Sequence, residues 1–254
     1  MAPTLWVLAL AVLEALLAYL GRLENPLFSL VYSWTPAAVA YLLARREGVR
    51  FPVLGTPNRH WLLALFLPPL LAAAATLLSL PLGHWRGFAP LKAAFPKLGA
   101  MPDALFLLVF LLYGVLLAAT VGVIFTLGGE IFWRGYLWEK LRDRGLWPAS
   151  LEIGFYFGLW SVPGVLATAR VGELSALYLF LLFAMGIMIT PGLLWIRERS
   201  RAVFAAALFL AGVQAWSFLP RTLVEGPEGL VGFYSLPGLA TLALFNLALR
   251  RWTE

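Results

Sequence analysis

Apolar runs of about twenty residues, each ended by arginine, lysine, proline or glycine, follow one another along almost the whole chain. A helix needs about 20 such residues to cross a bilayer. In lipid, backbone groups find no water to bond, so spanning elements are restricted to helices and closed barrels. Runs this long and continuous, without strand-like alternation, predict an all-α, polytopic membrane helix bundle. Hydrophobic residues make up 61% of the 254 positions and charged residues 13%. The spans use up nearly all of residues 1–254, read as one transmembrane domain, so any chemistry must sit inside the bundle.

Eight spans are predicted. They are Thr4–Leu20, Leu27–Ala44, Trp61–Leu82, Asp103 through Arg142, Trp147–Thr168, Gly172–Ile196, Ala202–Leu219 and Leu230–Leu249. Gly21 to Pro26 reads as a turn, and Gly83 to Pro102 as an interfacial loop. The first run has neither a basic leader nor a cleavage motif and reads as a retained helix rather than a signal peptide. Pro68 and Pro69 should kink the third span unless neighbours satisfy the freed carbonyls. Asp103 is the expected N-cap of the fourth. That span approaches 40 residues, and at about 1.5 Å per residue it would overshoot a membrane if straight. Gly128 and Gly129 are its expected bend.

An even number of spans puts both termini on one side. Basic residues then total 12 in the segments on that side and 6 on the other, which by the positive-inside rule makes the termini cytoplasmic, in a cell membrane. The net charge of +6 is thereby accounted for by topology and by contact with anionic lipid head groups. Nucleic acid is not an expected partner. With no cysteine in the chain, disulfides, thiolate metal sites and cysteine nucleophiles are excluded.

Within the fourth span, Gly128-Gly-Glu-Ile-Phe-Trp-Arg134 continues from an apolar run without a polar linker. It carries Glu130 and Arg134 at membrane depth, in the cytoplasmic half of the bundle. Ionisable groups there cost roughly 2.5 to 3.5 kcal/mol each on insertion scales and mark functional sites by default. Four residues apart on a helix, the two share a face and can pair. Glu14 is a second carboxylate at depth, read as a polar contact between helices.

Other chemistry is poorly provided for. The two histidines, His60 and His84, flank the third span 24 residues apart, about 36 Å along a helix, so one zinc cannot bind both. Ser161 has no histidine or lysine in the spans to activate it, and reads as a hydroxyl bonded to a backbone carbonyl. A transporter would show inverted repeats or paired broken helices, and neither is visible.

Glu130-Ile-Phe-Trp-Arg134-Gly135-Tyr136-Leu137 resembles the first motif of the CPBP intramembrane metalloproteases, the CAAX prenyl protease and bacteriocin-processing group. In that motif a glutamate pair is followed by three residues and Arg-Gly. Trp147-Pro-Ala leading to Phe157-Gly-Leu-Trp-Ser161 resembles the second motif, and Ala202 to Gln214 the third. The resemblance spans Ala104 to Trp216 and implies a CPBP-like core over residues 104–216. It retains Glu130 and Arg134 as the catalytic-motif positions. It also implies losses: the water-activating glutamate falls on Gly129, the second-motif histidine on Ser161, and the third-motif histidine and asparagine on Leu210 and Gln214. The expected reading is a pseudoprotease with no metal or other cofactor, surrounded by membrane lipids and binding a membrane protein, peptide or lipid-like molecule. The alternative is an active, divergent intramembrane metalloendopeptidase that uses zinc, with Glu130 and Glu14 or Gln214 in place of the usual ligands.

Overall fold

The computed structural model describes residues 2–21, 25–168 and 175–253. Residues 22–24 of the expected turn, and the first residues of the expected sixth span, lie outside the described residues, as do Arg22 and Arg170 of the charge count. The fold is all-α apart from one two-stranded ribbon. Helices α1 (Ala2–Tyr19), α2 (Asn25–Glu47) and α3 (Arg59–Ser79) come first, then short helices α4 (Ala89–Ala94) and α5 (Pro96–Gly99). A continuous helical run α6 (Asp103–Arg144) follows. After it come α7 (Leu146–Thr168), α8 (Ala176–Ser200), α9 (Val203–Trp216), the short α10 (Leu219–Leu223) and α11 (Leu236–Thr253). Strands β1 (His84–Trp85) and β2 (Val224–Glu225) pair antiparallel, His84 opposite Glu225, and tie the expected interfacial loop to the chain beyond α9.

Among the described residues, six helical segments are long and apolar enough to cross a membrane. They correspond to the second through seventh expected spans. Pro3–Tyr19 is a shorter apolar helix, and α11 ends in the Arg250-Arg251 pair.

Helix α9 is the core of the bundle. Apart from Gln214 near its end, its residues are apolar all round, as befits a largely enclosed helix, and alanines at 205, 206, 207 and 211 are all essentially inaccessible. Small side chains let neighbours approach closely, which is how helices associate where lipid removes the hydrophobic drive. It packs against α3, α6 and α8. Its first-turn donors, which lack intrahelical acceptors, are met by the loop before α3: Val203 N–H donates to the Pro52 carbonyl at 3.1 Å and Phe204 N–H to that of Val53 at 2.9 Å. The adjoining α8–α9 turn is held by Asn58, whose side-chain amide donates to the carbonyls of Arg199 and Ser200. Helix α3 runs on through Pro68 and Pro69, with Pro68 against Gly212 of α9.

Two expectations for α6 are corrected. Gly128 and Gly129 do not bend it; both lie in the α-helical stretch Val123–Glu130. The irregularity sits on either side, where the helix widens into π turns at Ala118–Gly122 and Ile131–Leu137. Gly128 is there for packing: a Cβ would collide with the Ser33 carbonyl and the Trp34 backbone of α2. Asp103 is likewise the first helical residue rather than the cap, which is Pro102. Its carboxylate sits in the first turn and pairs with Lys92 at 2.6 Å, the favoured end for negative charge.

Gly128→Val should therefore destabilise the bundle by about 1–3 kcal/mol through overpacking. Gly129→Ala should stay within about 0.5 kcal/mol, because its nearest neighbour would be a Trp160 ring atom at an ordinary 3.4 Å. Thermal unfolding in detergent compares the two.

Candidate functional site

Glu130 closes the α-helical stretch of α6 and Arg134 falls in the π turn that follows. Both side chains are fully buried, and Arg134 Nη1 donates to Glu130 Oε1 at 2.7 Å. The pair is held from two further helices. Arg134 Nη2 donates to Thr190 Oγ1 of α8 at 2.9 Å, and the Thr190 hydroxyl donates in turn to the Gly186 carbonyl. The guanidinium also lies 4.2 Å from the centre of the Phe157 ring of α7, a cation–π contact. Glu130 Oε2 and Arg134 Nε make no hydrogen bond.

Above this pair is a layer of rings. Trp133 lies within 6.1 Å of both Phe157 and Trp160, centre to centre, and Trp160 stacks on Tyr32 of α2 at 4.9 Å. Gly129 faces into this layer, against Trp160 and Trp133. On the other side is a cavity of about 350 Å³ whose wall includes Ser161, Leu210 and Gln214 together with Phe157 and Trp160. Three of the expected altered positions thus meet on one cavity, Gly129 lies behind its aromatic wall, and Glu130 and Arg134 are absent from its lining.

Ser161 donates to the Phe157 carbonyl at 2.9 Å, as read from its isolation in the sequence. Glu14 is an interhelical contact, accepting a hydrogen bond from Thr35 of α2. His60 lies in the first turn of α3 and His84 beyond its other end, in β1. His60 meets the Trp195 ring edge-on at 5.6 Å.

Residues 104–216 match the family model described as Rce1-like, type II CAAX prenyl endopeptidase. This segment thus matches the CPBP, CAAX-protease family. The match covers the segment on which the three motifs fall. No curated protein and no solved structure matches the chain.

The family match raises the question of zinc, which takes histidine, cysteine or carboxylate donors in a converging set. Among the described residues no group of three or more His, Cys, Asp or Glu side chains converges. At the CPBP positions, glycine, serine and leucine supply no metal donor of that kind, and the one carboxylate is already bound to Arg134. The residues do not fit a catalytic zinc.

Thr190, Trp160 and Tyr32 were not singled out by the sequence. Thr190 and Tyr32 are polar groups inside apolar spans, a signal that marks an interhelical bond without naming its partner.

Removing one member of the buried pair strands the other charge. Arg134→Met should cost about 3–5 kcal/mol, and Arg134→Met combined with Glu130→Gln should recover much of the loss. Unfolding of the single and double variants measures the coupling.

Proposed function

We propose that this CAAX-protease-like membrane protein is a pseudoprotease, which uses the former active-site cavity to bind a membrane partner or ligand. The observation that carries the reading is the separation of charge from cavity. The retained Glu130 is fully buried against Arg134, while the cavity at the altered positions is lined by no Asp, Glu, Lys, Arg or His. Hydrolysis needs a general base within reach of both water and substrate. A carboxylate fixed behind Phe157 and Trp160 meets neither condition.

The divergent-endopeptidase reading needs Glu130 to cooperate with Glu14 or Gln214. The two carboxylates are held by different partners, Arg134 for one and Thr35 for the other, and Gln214 lines a cavity from whose wall Glu130 is absent. Purified protein is expected to carry substoichiometric zinc and to show no chelator-sensitive cleavage of peptides or prenylated peptides. Stoichiometric zinc with chelator-sensitive turnover that Glu130→Gln abolishes would establish the endopeptidase instead.

The topology belongs to the same proposal. With α1 and α11 also crossing, eight spans place both termini, the α2–α3 loop and the α8–α9 turn in the cytoplasm of a cell-membrane protein, where the basic residues are concentrated. The natural chain has no cysteine, so single cysteines report cleanly. Arg201→Cys should resist a membrane-impermeant maleimide in intact cells and Lys97→Cys should react with it; the opposite pattern inverts the topology.

A further inference from the structure

An uncommitted amide in the cavity wall bears on what fills it. Gln214 lies near the middle of the apolar segment Val203–Leu223, lines the cavity and is exposed. Its backbone carbonyl accepts from Ser217, but its carboxamide has no hydrogen-bond partner among the described residues. The neighbouring hydroxyls are already spent on the protein. Ser33 donates to the Leu30 carbonyl and Ser161 to that of Phe157. Tyr32 donates to the Trp160 carbonyl and accepts from Gly164 N–H. A free amide at membrane depth is unfavourable unless something in the cavity both donates to it and accepts from it.

The rest of the wall says what that occupant cannot be. It offers no charged side chain, and Glu130 and Arg134 satisfy each other behind the ring layer. A carboxylate or phosphate placed there would be an uncompensated charge in an apolar site, and an ammonium would meet ring faces but no counter-charge. At about 350 Å³ the space is near the lower end for ligand pockets, which suits the end of one chain rather than a whole phospholipid. We infer that the cavity binds an uncharged single-chain amphiphile, with an alcohol or amide head bonded to the Gln214 carboxamide and its apolar chain along the aromatic wall.

This rests on the cavity-binding reading above and names its ligand class. The test uses full-length protein in detergent and a diazirine-bearing hexadecanol. Labelled peptides are mapped by mass spectrometry, with hexadecanol, hexadecanamide, hexadecanesulfonate and hexadecyltrimethylammonium as competitors. Labelling should map to the cavity-lining stretches of α7 and α9, and the two uncharged competitors should displace it. Their relative potency separates an alcohol from an amide as the natural head. Gln214→Leu, which keeps an apolar wall, should weaken both by about ten-fold or more, whereas Gln214→Asn should retain measurable binding. Equal competition by either charged amphiphile, or undiminished binding by a folded Gln214→Leu protein, overturns the inference and leaves the pseudoprotease reading standing. Absence of any labelling in the cavity overturns the inference as well, whereas the zinc and cleavage assays above decide the pseudoprotease reading independently.

Discussion

An ion pair with no access to water constrains everything around it. Two ionisable groups at membrane depth carry a combined insertion penalty of about 5–7 kcal/mol. Their attraction at 4 Å and an effective dielectric near 20 returns about 4 kcal/mol. Glu130 and Arg134 therefore need further partners, and the bundle supplies them from separate helices: the Thr190 hydroxyl from α8 and the Phe157 face from α7. A charge-assisted hydrogen bond contributes about 1.5–3 kcal/mol and a desolvated cation–π contact about 2, enough to offset the remainder. The pair thus fixes the relative placement of α6, α7 and α8 as well as its own geometry.

The same arrangement keeps Glu130 and Arg134 apart from the cavity that Ser161, Leu210 and Gln214 line. Phe157 and Trp160 serve two surfaces at once, closing over the Trp133 layer on one side and lining the cavity on the other. Their rings divide a charged, dry compartment from a neutral, open one. Restoring a histidine at position 161 or 210 would not reconnect the two, because the barrier is built of aromatic side chains that these substitutions leave in place.

Much of this was legible in the sequence because apolar run length and intramembrane charge are local signals. The spans, the Glu130–Arg134 pairing, the bond of Ser161 to a backbone carbonyl and the tie between Glu14 and a neighbouring helix all follow from residues read within a turn or two. What escaped depends on distant partners. Gly128 looks like a hinge until α2 is seen lying against it, and nothing near Thr190 or Tyr32 says which helix either will meet. The first and last expected spans are not among the six described segments long and apolar enough to cross a membrane: Pro3–Tyr19 is a shorter apolar helix, and α11 carries Arg250 and Arg251 in its last turn.

The cavity itself shows where this chain departs from its matched core. Pro163 of α7 has no N–H to donate. One residue on, Gly164 N–H bonds to the Tyr32 hydroxyl, which itself donates to the Trp160 carbonyl. A side chain of α2 is thereby inserted between two groups that a regular helix would join directly. Because Trp160 forms both the wall of the cavity and the cover over Gly129, its position is set by a residue outside residues 104–216. Phe28, Phe233 and Tyr234, also outside that segment, complete the wall. The matched core therefore contributes the sealed ion pair and the altered motif positions, while the flanking helices determine the shape of the space those positions face.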